Sequence, residues 1–224
     1  MRPSVKIYRY LEAKWALKSL RERRLRVSRI KELNDPFEWR IGSVADLPGH
    51  ANAGRESFDA FVERINEQLG VISHSAASAD PVIWSHYADS HKGIALEFDH
   101  FLVEELHPVS YSHSLPIFDV TRFLKTNSDQ YTLSILKTAL GRKSLSWAYE
   151  KEYRVHFGLE TDCEKEEGNY FKRIPENYLK RVILGVRCAA SRSEVIEALG
   201  AGGFSDVEVV RARFSETTYE VLCD

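Results

Sequence analysis

The sequence predicts an α+β domain with a mixed, mostly antiparallel sheet and flanking helices, and three observations predict it. Segments with apolar residues at alternate positions recur along the chain, and segments with apolar residues three and four apart lie between them. The two kinds do not follow the regular strand-helix-strand order that builds a parallel α/β sheet. No Gly/Ser/Pro-rich linker, low-complexity tract or internal repeat divides the 224 residues, so residues 1–224 read as a single domain. Hydrophobic residues make up 43% of the chain, enough for a sizeable core and too many for a disordered segment.

The elements follow in order. "VKIYRYL" alternates, with Val5, Ile7, Arg9 and Leu11 on one side and Lys6, Tyr8 and Tyr10 on the other, as a short strand does. Ala13, Ala16, Leu17 and Leu20 mark one helical face, and "LRVS" is extended. "LNDPFE" then turns the chain: Asp35 is expected to bond nearby backbone amides, Phe37 to be buried as an anchor, and Glu38 either to face a cleft or to pair with an arginine. Phe58, Phe61, Val62, Ile65 and Leu69 predict a helix that stops at Gly70.

"GVISHSAAS" is a strand running into a polar loop, and "DPVIWSHYADSHKG" a short helix capped by Asp80 with Pro81 at its first position. "GIALEFD" is a strand with Ile94, Leu96 and Phe98 on one face, and "VSYS" a further short one. A helix is expected over 119–140, carrying Leu133, Leu136 and Leu140 and ending at Gly141. "EYRVHFGL" turns Tyr153, Val155, Phe157 and Leu159 inward and Glu152, Arg154 and His156 to the opposite face. "RVILGV" is a buried strand, "SRSEVIEAL" opens a helix on a capping box from Ser191 to Glu194, and "VEVVRARF" and "YEVL" close the chain as strands.

Charge and cysteine usage narrow the partners. The net charge is −2, yet residues 1–40 hold twelve Lys/Arg against five Asp/Glu. The dense part, "RERRLRVSR", makes Arg21, Arg23, Arg24 and Arg26 a candidate contact for nucleic-acid phosphates, against the plainer reading of a solvated helix end. Cys163, Cys188 and Cys223 are odd in number and widely spaced, which indicates neither a disulfide framework nor a zinc site. The N-terminus has no apolar run and no later stretch is long enough to span a bilayer. A cytoplasmic protein without membrane contact is the expectation.

"YRYL", "LNDPFE", "WSHYADSHKGIALEFD", Lys143, "WAYEKEYR" and "VILGV" together resemble the bacterial family called domain of unknown function 2971. That resemblance implies no activity, so function has to come from the site.

Three further elements resemble those of ADP-ribosyltransferases, in the same order: Arg9 on the first strand, Ser73 and Ser75 of "SHS" on a middle strand, and Glu150 and Glu152 of "EKE" at the start of a late one. The resemblance implies an ADP-ribosyltransferase-like fold and NAD, or a related nucleotide, as substrate. In it, Arg9 would hold the pyrophosphate by charge-assisted bonds, and Ser73 and Ser75 would fix the strand edge around the nicotinamide ribose. Glu152 would stabilise the cationic sugar as nicotinamide leaves, with Glu150 positioning the acceptor. Tyr8, Trp84 or Tyr87 could stack on the nicotinamide ring. Ser-x-Ser recurs at Ser110, Ser112, Ser144 and Ser191 and Glu-x-Glu at Glu164 and Glu166, so order and strand placement select the set. The bland alternatives are an ion pair across the sheet for Arg9, surface charge pairs for Glu150 to Arg154, and a core stripe for Trp84 and Tyr87.

Two other classes stay open. One is a non-catalytic nucleic-acid or protein interaction module. The other is a metal-dependent hydrolase acting through His86, Asp89 and His91, which with His74 fall within eighteen residues, although His86 and His91 are five apart and so fall on different faces of one helix; no metal is expected.

Overall fold

The computed structural model describes residues 5–40, 42–43, 55–99, 106–119, 122, 125, 129–175 and 177–223. In chain order its elements are β1 (Lys6–Leu11), α1 (Ala13–Glu22), β2 (Arg24–Arg29), β3 (Gly42–Ser43), α2 (Arg55–Gln68), β4 (Leu69–Ser75), α3 (Pro81–Tyr87) and β5 (Ile94–Asp99). There follow β6 (His107–Pro108), β7 (Ser110–Ser112), β8 (Ile117–Phe118), α4 (Asp129–Leu140), β9 (Arg142–Ser144), β10 (Glu152–Gly158) and α5 (Leu159–Asp162). The chain ends with β11 (Glu164–Glu166), β12 (Asn169–Arg173), β13 (Leu179–Leu184), α6 (Arg192–Ala201), β14 (Glu208–Arg211), β15 (Arg213–Phe214) and β16 (Val221–Leu222). The large sheet runs β11-β12-β2-β4-β1-β5-β13-β14, with β10 on β4 and β6 on β10. Among these pairs only β13 and β14 are parallel. The α+β class with a mostly antiparallel sheet is therefore observed.

Strand β4 organises the sheet. One of its edges pairs with β10 along its whole length, from Leu69 opposite Gly158 to Ser75 opposite Glu152. The other edge is shared: β2 pairs at Gly70 and Val71, and β1 pairs only at Ser75, opposite Tyr8. Between these contacts Ile72, Ser73 and His74 have no strand partner on that edge among the described residues. A backbone carbonyl left open in a sheet needs another donor. Arg9 supplies it, donating from Nη1 to the Ser73 carbonyl at 2.7 Å.

The alternation of β5 sorts the core. Ile94, Leu96 and Phe98 pack on one face with Ile7, Leu20, Val182, Val195 and Leu199, beneath α1 and α6. Ala95 faces the other way, into a second cluster with Tyr8, Tyr10, Ile83 and Trp84 beside α3. A third cluster joins Ile30, Trp39, Phe61, Ile135 and Ala139. Helix α3 begins as its sequence dictates, with the Asp80 carboxylate accepting from the Val82 amide at 2.8 Å and Pro81 at the first position. The Ser191 to Glu194 capping box of α6 is also formed. Among the described residues no helix is long and apolar enough to cross a membrane.

Several local expectations are corrected. Gly70 does not end a helix; it lies in β4, where an added Cβ would stand 2.5 Å from Leu159 Cδ2 and from Val27 Cγ1. Its lack of a side chain serves close packing. The described helix before Gly141 is α4, and of the expected span 119–128 only 119, 122 and 125 lie within the described residues. Its buried positions are Ile135 and Ala139, whereas Leu133 is exposed. Phe37 is 52% exposed, because the turn that Asp35 closes on the Phe37 amide points it outward; Trp39, two residues on, takes the buried place.

Candidate functional site

The gap between β1 and β2 opens onto a cavity of about 230 Å³. From β1 it is lined by Tyr8, Arg9 and Tyr10, from β4 by Ser73, His74 and Ser75, and from α3 by Tyr87. Glu38, Lys143, Glu150 and Glu152 complete its charged part. The strands that carry Arg9, the Ser-x-Ser pair and Glu152 are thus neighbours in the order β1-β4-β10, with Ser75 opposite Tyr8 on one side and Glu152 on the other.

Trp84 is the exception among the proposed ligand contacts. It is fully buried, donates its indole N–H to the Ser78 carbonyl at 2.9 Å and stands edge-on to Tyr10 with ring centroids 5.1 Å apart. It does not line the cavity. The helical stripe of Trp84 is core, as a large aromatic with a partner for its N–H usually is.

Beneath the cavity lies a buried ion network. Lys143 Nζ stands 2.7 Å from Glu150, 3.3 Å from Glu152 and 3.3 Å from Glu38. Arg154 holds Glu152 in a fork, Nε to Oε1 at 2.8 Å and Nη2 to Oε2 at 2.9 Å. Its Nη2 also reaches Glu38 at 2.6 Å and its Nη1 the Leu140 carbonyl at 3.0 Å. The five side chains are each 3–6% exposed, so the polar face of β10 is not a surface ladder. The ribbon of β7 and β9 covers it: Lys143 reaches in from β9, and the Tyr111 hydroxyl on β7 accepts from the Glu152 amide at 2.7 Å.

Environment separates the two carboxylates of "EKE". Burial would raise the pKa of Glu152, but Arg154 and then Lys143 outweigh it and hold the group at about 2. Burial raises the pKa of Glu150, and Lys143 offsets this only in part. Tyr87 donates a short hydrogen bond to Glu150 and accepts one from Asn34 at 2.9 Å; burial and then Glu150 push its own pKa up. Ser75 donates to the Glu150 carbonyl and accepts from the Ala77 amide at 2.9 Å, which fixes the end of β4 against the start of β10.

Two groups in the cavity have capacity left. Arg9 forms no ion pair among the described residues, and its one hydrogen bond goes to Ser73; burial lowers its pKa and Glu152 partly restores it. Glu38 has one oxygen on Arg154 and Lys143, while its buried Oε2 has no hydrogen-bond partner. Glu38 therefore both pairs with an arginine and faces the cleft. The residues missed as site members are Lys143, present in the family pattern but without a role, and Arg154, read as part of an outer face.

The remaining candidates disperse. His74 is buried edge-on to Phe98, His86 meets the Tyr149 hydroxyl at 3.0 Å, and His91 lies against Phe214. Among the described residues no group of three His, Cys, Asp or Glu could hold a metal ion. Arg24 pairs with Glu22 at 2.9 Å and with Glu166, and Arg26 with Glu32 at 3.0 Å. Arg23 donates to the carbonyls of Ile174 and Gly203. Most of the basic run is thus already engaged.

Residues 83–155 match the family model described as protein of unknown function (DUF2971). No curated protein and no solved structure matches the chain. The matched segment contributes Tyr87, Lys143, Glu150, Glu152 and Arg154, while Arg9, Glu38, Ser73 and Ser75 come from outside it.

Proposed function

We propose that this chain, whose residues 83–155 match the DUF2971 family model, binds NAD or a related nucleotide in the cavity between β1, β4 and β10 and acts as an ADP-ribosyltransferase-like enzyme. One observation carries the reading. Arg9, Ser73, Ser75 and Glu152, from the adjacent strands β1, β4 and β10, and Glu150, from the helical turn just before β10, line a single cavity in which Arg9 forms no ion pair among the described residues. At about 230 Å³ the cavity is smaller than the ~300–1,000 Å³ that encloses a drug-sized ligand, so it takes the nicotinamide-ribose end of a dinucleotide and leaves the rest at the mouth.

Each group then has a task. The free N–H groups of Arg9 take the pyrophosphate, for which a planar fork is suited. Glu152, kept ionised by Arg154 and Lys143, faces the sugar as positive charge develops on it. The bond from the ribose anomeric carbon to the nicotinamide nitrogen breaks, and its electron pair leaves with nicotinamide. The acceptor's lone pair forms the new bond to that carbon, and its proton passes to Glu150, whose raised pKa suits it to receive one. Tyr8 and Tyr87 flank the space as the aromatic walls.

The test is incubation of the purified chain with NAD, reading nicotinamide release and NAD binding for the parent and for Glu152→Gln and Arg9→Ala. The reading expects release that Glu152→Gln abolishes while binding survives, and binding that Arg9→Ala abolishes. A folded parent that neither binds NAD nor releases nicotinamide overturns it.

A further inference from the structure

Behind the charged cavity lies a second one of about 180 Å³, to whose lining Lys143 also contributes. The ribbon of β7 and β9 separates them. In β9 successive side chains alternate, so while Lys143 enters the ion network, Arg142 and Ser144 line the other side, next to Ser112 of β7. Arg40, His113 and Ser114 add to that lining, and no carboxylate is among it. Arg40 and Arg142 form no ion pair among the described residues. This contrasts with Arg24, Arg26 and Arg29, whose guanidiniums sit on glutamates.

An apolar shelf borders these cations. Phe37 and Leu115 line the same cavity and are 52% and 39% exposed, and the Arg40 guanidinium stands 5.7 Å from the centre of the Phe37 ring. Uncompensated arginines and serine hydroxyls suit a phosphate, and an exposed aromatic beside them suits a stacked base. We infer that this second cavity binds the phosphate group of a nucleotide, with Arg40 and Arg142 as its charge partners and Phe37 as the platform for its base. The inference stands apart from the NAD reading, because none of these groups belongs to the first cavity.

The test measures binding of a fluorescein-labelled single-stranded oligonucleotide to the full chain across a salt series, with AMP and inorganic phosphate as competitors. The parent is compared with Arg40→Ala/Arg142→Ala and Phe37→Ala, each checked for an unchanged melting curve. The double variant is expected to bind at least about tenfold more weakly and to lose roughly 0.7 of the logarithmic salt slope for each phosphate contact removed. Phe37→Ala should weaken the oligonucleotide, and AMP where AMP competes, but not inorganic phosphate. Competition by AMP identifies a free nucleotide as the source of the phosphate, and its failure to compete identifies a strand; both support the site. Undiminished binding by the folded double variant, or no binding by the parent at low salt, overturns the inference.

Discussion

Arg154 and Glu38, 116 residues apart in the chain, meet at 2.6 Å with both side chains 3% exposed. Their bond ties the turn after β2 to the strand that carries Glu152. Breaking a buried pair by removing one partner strands the other charge, which costs about 3–5 kcal/mol. Glu38→Ala should therefore lower the urea unfolding free energy by about that much, whereas Glu38→Gln, which keeps an acceptor for Arg154, should lose less. Equal stability of Glu38→Ala and the parent would deny the brace and leave only the cavity-facing role of Oε2.

Arg9→Ala should behave in the opposite way. Its single hydrogen bond, to the Ser73 carbonyl, contributes about 0.5–1.5 kcal/mol, so chemical denaturation should show a small loss. Arg9→Lys should not restore NAD binding, because a lysine ammonium cannot form the same fork. A large drop in stability with ligand binding intact would assign Arg9 to the sheet instead of the ligand.

Acid should unfold the protein in two stages. His156, lowered to about 4 chiefly by burial and then by Arg154, contributes stability that is complete above its unfolded value of 6.5 and is lost as pH falls toward 4. Glu152, held at about 2, contributes stability that is complete above 4.5 and is lost between there and about 2. Glu150 has the contrary sign: its raised pKa means that stability falls as pH rises through the window above 4.5. Urea midpoints measured against pH should fall steeply below 4.5 in the parent, and His156→Gln, which removes the group that opposes Glu150 between 6.5 and 4.5, should raise the midpoint near pH 5 relative to that at pH 7.

What the sequence disclosed and what it withheld follows from range. The turn at Asp35, the cap of α3, the box of α6 and the two-sided alternation of β5 depend on neighbours within a few positions, and each was legible. The gap beside Ser73 depends on where β1 and β2 both let go of β4, a non-local pairing that no spacing records. Likewise, the alternation of "EYRVHF" sets Glu152 and Arg154 apart from Tyr153 and Val155, but only the arrival of β7 and β9 makes that second face an interior one. Phe37 and Trp39 compete for one buried place, and the local turn geometry decides for Trp39.

Trp84 separates packing from ligand contact. Trp84→Phe removes the hydrogen bond to Ser78, worth about 0.5–1.5 kcal/mol, and some buried surface, so the melting point should fall while the NAD affinity of the folded protein stays unchanged. An affinity loss without a stability loss would return Trp84 to the cavity wall.

Lys143 offers the sharpest test of the network, because it is the cation shared by Glu38, Glu150 and Glu152. Burial alone would lower its pKa, but the three carboxylates outweigh this and raise it, so it stays charged. Lys143→Met keeps most of the volume, leaves Glu38 and Glu152 with Arg154 as their remaining cation, and leaves Glu150 with only the hydroxyl of Tyr87 on its carboxylate. At neutral pH the loss should be about 3–5 kcal/mol. Without the ammonium that offset its desolvation, Glu150 should take up a proton at higher pH than in the parent. Mild acid should therefore stabilise the variant relative to the parent. Urea titrations of both proteins at neutral pH and near pH 5 read this directly, and a variant whose stability changes with pH as the parent's does would show that Lys143 does not govern the charge of Glu150.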